Sequence, residues 1–197
     1  MDVVDVAFAL RGGSIPADHG WRLFELLAER LDWLAGESAA AVHPIRGARA
    51  VAGTIHLGSR ARMMLRLPQE RAAQALALSG MRLDLGEGFE VGDAHLRTLF
   101  AHHTLYSQFV DAGTPDEIEF QRKLAAELRE AQIDCKLVCG RARRAQAGAA
   151  QIAGFSVMLH QLTPEQSLRM QGQGLGAGHK LGCGIFIPHK SAAAVGD

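Results

Sequence analysis

The sequence is short of aromatic residues, cysteine, lysine and net charge, and each shortage narrows what the chain can do. Aromatic residues make up 6% of it, with one Tyr and two Trp, so a surface that works mainly by ring stacking is not expected. Cysteine appears only as Cys135, Cys139 and Cys183. That is too few for a disulfide scaffold and suits a reducing, cytoplasmic compartment. Cys135 and Cys139 lack a second pair, and on a strand they would share one face, so they read as small core residues. No metal and no cofactor is expected. No apolar run approaches the roughly 20 residues of a membrane span. The N-terminus, MDVVDVAF, carries acids where an export signal carries bases.

The net charge is zero, with 21 basic and 21 acidic residues, but the charges are segregated. Residues 1–37 hold 3 bases and 7 acids, and residues 67–134 hold 6 bases and 12 acids. Residues 38–66 hold 5 arginines and no acid, and residues 135–197 hold 7 bases and 2 acids. Arginine outnumbers lysine 17 to 4, and its planar fork is the better match to phosphate. With 48% hydrophobic residues, the chain has ample material for a core, as one domain of about 200 residues or two of about 100.

The hydropathy pattern predicts an α+β fold. Residues 2–11 read as a strand, and Asp18 is placed to cap a helix starting near His19. Leu23, Phe24, Leu27, Leu31 and Leu34 then recur at helical spacing up to Gly36. Residues 49–57 and 60–67 read as a hairpin turning at Gly58-Ser59. Pro68 opens a short helix, and residues 81–85 (MRLDL) form another strand. Strand, helix, strand, strand, helix, strand is the ferredoxin-like plan. The second half repeats it with a strand over 97–110 and a helix with Thr114 as N-cap, Glu117 as capping-box partner and Ile118, Leu124 and Leu128 inward. Strands over 133–139 and 142–162, the latter bent at Gly154, follow. A second capping box at Thr163 and Gln166 opens the last helix, and a final strand lies near 183–188. The expected units are 1–91 and 92–190, with 191–197 a frayed tail.

Between the last helix and the last strand runs a glycine-rich segment, GQGLGAGHKLGCGIFIP, with six glycines inside 172–184. Only glycine takes positive φ repeatedly or lets backbones approach closely. Successive free N–H groups there would form an anion nest with the tips of His179 and Lys180 inside it. A dinucleotide fingerprint is excluded, because such a motif follows a strand and opens a helix, the reverse of the order here. The Gly-Lys-Ser/Thr of a Walker loop is missing.

The pattern Gly174-Leu175-Gly176, five residues, Gly182-Cys183-Gly184, then Pro188, resembles the C-terminal signature of the RAMP superfamily of CRISPR proteins. Within it the chain most resembles the Cas six endoribonucleases that process CRISPR repeat RNA. HLGSRARMMLRLP is similar to that family's arginine-bearing strand, and FALRGGSIPADHGWRLFELL to the start of its MYXAN-type branch. The resemblance covers nearly the whole chain. It implies tandem ferredoxin-like (RAMP/RRM-like) units with a C-terminal glycine-rich loop, and RNA binding. It also implies metal-independent cleavage of precursor CRISPR RNA (crRNA), with effector-complex (Cascade-like) subunits as further partners.

Metal-free RNA cleavage needs a base for the 2′-hydroxyl, an acid for the leaving 5′-oxygen and cations for the phosphorane charge. Histidine suits the first two roles near neutral pH. His19, at the start of the first helix, is the first candidate, and His43, flanked by Arg46 and Arg49, the second. His102 and His103 alternate across a strand and so form no pair, and His56 and His160 read as core or sheet-surface residues. Tyr106 is a weaker candidate. For RNA binding, Arg60, Arg62 and Arg66 share one strand face with Met64. Together with Arg141, Arg143, Arg144, His179, Lys180 and the loop glycines Gly174, Gly176, Gly178, Gly182 and Gly184, they make an expected phosphate track.

Overall fold

The computed structural model describes residues 2–47, 51–87 and 89–190. Arg49 and the expected frayed tail lie outside those residues. The chain divides into two compact units, Met1–Thr98 and Leu99–Asp197. The expected boundary after residue 91 falls inside a strand.

In the first unit the strands are β1 (Val3–Arg11), β2 (Ser14–Pro16), β3 (Ala41–Val42), β4 (Thr54–His56), β5 (Arg62–Pro68) and β6 (Glu90–Thr98). The helices are α1 (Gly20–Ala28) and α2 (Gln69–Ala75). The main sheet runs β3-β5-β1-β6 and is antiparallel at every pairing. With β3 counted as the second strand, this is the ferredoxin-like order 4-1-3-2. Alternation along β1 and β5 sends Val6, Phe8, Leu10, Met63, Leu65 and Leu67 to one face, where they form a core with Leu23, Leu27, Leu31 and Leu34.

Three local expectations are corrected here. The predicted hairpin over 49–67 does not form, because β4 pairs with β2 instead of β5. MRLDL is not a strand. Its Leu83 and Leu85 are buried, but only an Arg82–Glu90 bridge joins it to the sheet, and β6 supplies the fourth strand. The N-cap of α1 is His19 itself, not Asp18, and no side chain caps that end.

The second unit comprises β7 (Thr104–Val110), α3 (Glu117–Glu130), β8 (Lys136–Ala147), β9 (Ala150–His160), α4 (Pro164–Gln173) and β10 (Ile187–Pro188). Its sheet, β10-β7-β9-β8, is again 4-1-3-2. Leu105, Val157 and Leu159 pack with Phe120, Leu124 and Leu128 of α3 and Met170 of α4. The Thr163–Gln166 capping box forms as expected. The α3 cap is Asp116, whose side chain accepts the Glu119 N–H, while Thr114 donates to the Glu119 carboxylate. Ile118 is 81% exposed, not inward, and Phe120 takes the core position. The strand expected over 97–110 is interrupted, so His102 and His103 precede β7 and their rings meet edge to face at 4.7 Å.

β8 is longer than expected and turns directly into β9. β7 pairs with β9 only as far as Val110–Phe155, whereas β8 follows β9 to Ala147–Ala150. The last part of β8 and the first part of β9 therefore form a two-stranded ribbon. Gly154 sits at its root. A side-chain carbon there would collide with the Val110 carbonyl and lie 3.0 Å from the Phe109 ring.

Candidate nucleic-acid interface and catalytic groups

Both candidate catalytic histidines are buried in the first unit. His19 is 4% exposed. Its Nδ1 lies 2.9 Å from the Pro16 carbonyl, and its Nε2 accepts the Ile45 N–H at 2.9 Å. The ring is thus a neutral tautomer that donates from Nδ1 and accepts at Nε2. Burial pushes its pKa down against the hydrogen bonds to the Pro16 and Ala17 backbone and the charge of Asp18. No ring nitrogen is left to take a proton from RNA. His19 fastens the start of α1 to the segment after β3.

His43 follows β3, its N–H donating to Met64. It is 5% exposed, with Nε2 3.4 Å from Asp5 Oδ1. Burial lowers its pKa, and the charges of Arg66 and Arg46 add to this, against the opposing pull of Asp5. The same carboxylate receives Arg66 in fork geometry, Nε to Oδ1 at 2.8 Å and Nη2 to Oδ2 at 3.0 Å. Burial alone would raise the Asp5 carboxyl, yet hydrogen bonds from His43 and Arg66 and the Arg66 charge hold it well below the usual carboxylate range. Arg66 is 2% exposed, so it is removed from the expected phosphate track. Asp5, absent from the sequence-based set, is what holds it. Arg60 is exposed and Arg62 half-buried, the latter donating to the Ser59 and Ala61 carbonyls.

The glycine-rich loop is also built differently from a nest. All five of Gly174, Gly176, Gly178, Gly182 and Gly184 take positive φ, as expected. Their amides, however, are largely consumed inside the fold. Gly174 N–H donates to Met170, Leu175 to Gly184, Ala177 to Asp111, Gly182 to His179, Cys183 to Gly178 and Gly184 to Phe109. Gly176 N–H donates to the Glu127 carboxylate of α3 at 2.9 Å. The anion nest is therefore corrected, since donors already paired to protein oxygens do not cradle phosphate.

The glycines instead make room for a histidine. Side-chain carbons at Gly174 and Gly184 would each lie 2.8 Å from His179 Nε2. His179 Nε2 is buried without a hydrogen-bond partner. Burial lowers its pKa, opposed by the Leu175 backbone and Glu127. Glu127 escaped the sequence reading. The available signal was a carboxylate placed beside the inward Leu124 and Leu128 on the helix that precedes the basic segment.

Three arginines of the second unit lie on β8. Arg141 and Arg144 are exposed and Arg143 half-buried along the ribbon side of β8. No acid occurs between residues 135 and 164. The thiols of Cys135 and Cys139, half-buried against the core, are pushed up to about 11 by burial, which keeps them protonated and poor as metal ligands.

A family model described as Cas6 Crispr matches residues 4–191. The chain is 33% identical over 197 residues to the CRISPR-associated endonuclease Cas6 of Myxococcus xanthus (strain DK1622), spanning 99% of this chain and 85% of that protein. A solved CRISPR associated protein Cas6 covers 96% of this chain and 100% of its own, at 12% identity and a TM-score of 0.69. A Cas6-related protein from Pyrococcus furiosus covers 94% and 98%, also at 12% identity and a TM-score of 0.69. The endoribonuclease Cse3 bound to a 19-nucleotide RNA covers 95% and 98% at 12% identity, with a TM-score of 0.57. These structural likenesses bear out the tandem ferredoxin-like fold. The family match and the identity to the Myxococcus protein go further: the chain belongs to the Cas6 family of CRISPR-associated endonucleases.

Proposed function

We propose that this chain binds CRISPR repeat stem-loops in precursor crRNA and cuts them without a metal ion to release guide RNA. In this reading the 2′-oxygen beside the scissile phosphate attacks phosphorus as the bond to the 5′-oxygen breaks. The products are a cyclic 2′,3′-phosphate and a 5′-hydroxyl. The observation that carries the RNA-binding half is the ribbon of β8 and β9, with Arg141, Arg143 and Arg144 on a stretch free of acids. A-form RNA is read through backbone and shape, and arginine forks on a narrow ribbon match that task. Arg60, Arg62, Lys180 and the lip of the loop around Gly178 and His179 extend the proposed contact set.

The test is incubation of the protein with its own repeat RNA in EDTA. Cleavage at one position within the repeat is expected. Tight binding with no cleavage would refute the enzymatic half. One observation favours a second reading, a non-catalytic subunit that holds guide RNA in an effector complex: both His19 and His43 are buried, with His19 fully hydrogen-bonded. Binding without cutting is the outcome that would select it.

A further inference from the structure

β6 is an outermost strand of the first sheet, and more than half of it is bare. Among the described residues its outer side is occupied only at its start, where the Gly80 N–H donates to the Val91 carbonyl and the Val91 N–H to Met81. Every residue from His95 to Thr98 is exposed, and so is Asp93. Leu96 is 57% exposed although Val6, its partner on β1, is buried. Folded chains ordinarily cover or blunt an edge of this kind, because its free peptide groups template a further strand.

The hydrogen-bond phase tells which groups the edge offers. The Gln69 N–H donates to the Asp2 carbonyl, in step with the Val3–Pro68 and Val4–Leu67 pairs. Even-numbered residues of β1 therefore bond to β5, and odd-numbered ones to β6. The hydrogen-bonded pairs with β6 are then Asp5–Arg97 and Ala7–His95. His95 and Arg97 turn their peptide groups into the sheet, whereas Ala94, Leu96 and Thr98 turn theirs outward. Side chains alternate too. Ala94 and Leu96 lie on the core side with Phe8 and Val6, and Asp93, His95 and Arg97 lie on the other.

This edge is complementary to itself. Two copies of one strand related by a two-fold axis pair symmetrically about a central residue. With the axis at His95, Ala94 meets Leu96 of the second copy, and Asp93 meets its Arg97. Ala94 and Leu96 are residues whose peptide groups point outward, so the two strands can exchange hydrogen bonds there. Their apolar side chains extend the core-side face, and opposite charges meet at both ends of the other face. Neighbouring registers lose these matches. An axis at Leu96 sets His95 against Arg97, and an axis at Ala94 sets Arg97 against Val91, whose peptide groups are already taken.

We propose that the open edge of β6 pairs antiparallel with the same edge of a second copy of this chain, centred on His95, joining two four-stranded sheets into one. One short strand pair is small beside the roughly 1,200–2,000 Å² of a stable interface, so the dimer dissociates in the micromolar range. The proposal uses no residue of the RNA contact set and does not rest on the cleavage reading.

The test is analytical ultracentrifugation of the full chain, free of RNA, at concentrations up to about 300 µM. A species of twice the chain's mass is expected to grow with concentration. Asp93→Arg sets base against base and Arg97→Asp sets acid against acid, so each alone is expected to weaken self-association tenfold or more. The double variant carrying both changes restores opposite signs and should associate within threefold of the parent. An equimolar mixture of the two single variants should pair as a heterodimer for the same reason. In the parent, the amides of Ala94 and Leu96 should gain protection from hydrogen exchange as the dimer forms, while those of His95 and Arg97 are protected throughout. A parent that stays monomeric overturns the proposal. So do single variants that associate like the parent, a double variant and a mixture that both fail to recover, or protection gained only away from β6.

Discussion

Removing Arg66 should damage the fold and leave the RNA contact itself untouched. The guanidinium is 2% exposed and makes two parallel charge-assisted hydrogen bonds, at 2.8 and 3.0 Å, to an Asp5 that is itself 8% exposed. Arg66→Met fills similar space but strands a buried carboxylate beside the neutral His43. Breaking a buried pair from one side costs about 3–5 kcal/mol. Replacing both partners, as in Asp5→Val with Arg66→Met, removes the uncompensated charge and should recover most of that loss. Urea unfolding of the parent, both single variants and the double variant closes the cycle, and a coupling of about 2 kcal/mol or more is expected. The folded Arg66→Met protein should bind RNA with an unchanged salt slope, because a buried arginine releases no counterions. A single-variant cost below about 1 kcal/mol, or a salt slope lowered by about one, would refute the reasoning and return Arg66 to the phosphate track.

Other outcomes follow from the same geometry. His19, His43 and His179 all have pKa values pushed down by burial, so the unfolded chain takes up more protons than the folded one as pH falls through about 6.5. The stability they give is present above that value and lost below it. The midpoint of thermal unfolding should therefore drop between pH 7.5 and 5.5, and a flat profile would contradict the neutral, buried assignment. His19→Ala should cost about 1–3 kcal/mol by orphaning the Ile45 amide and the Pro16 carbonyl. Gly184→Ala must hold an alanine at φ +66° against the Leu175 carbonyl and the His179 ring, a strain of about 1–3 kcal/mol readable by denaturation. Substituting Arg141, Arg143 and Arg144 together with alanine should weaken binding to all stem sequences alike. It should also lower the salt slope by about one for each arginine that touches phosphate.

What could be read from the chain was mostly local. The Thr163 capping box, the burial of Leu23, Leu27, Leu31 and Leu34 and the positive-φ role of the loop glycines each depend on a few neighbouring residues, and each holds, although α1 stops at Ala28, short of the helix expected up to Gly36. The misses are non-local. Arg66 looked like one of several surface arginines because its partner, Asp5, lies 61 residues away. His19 looked exposed at a helix start because the amide that occupies its Nε2 lies 26 residues on. The 49–67 hairpin failed because β2, a three-residue strand with little sequence signal, competes for β4. Thr114 and Asp116 are both competent caps two residues apart, and the pattern alone did not choose between them.

The most direct test of RNA cleavage by the 2′-oxygen is a change to one atom of the substrate. Repeat RNA should be cut in EDTA, whereas the same RNA with a single 2′-deoxy nucleotide at the scissile position should be bound with equal affinity and left whole. Cleavage of the deoxy substrate at the same bond would contradict the account, because it would require a nucleophile other than the 2′-oxygen.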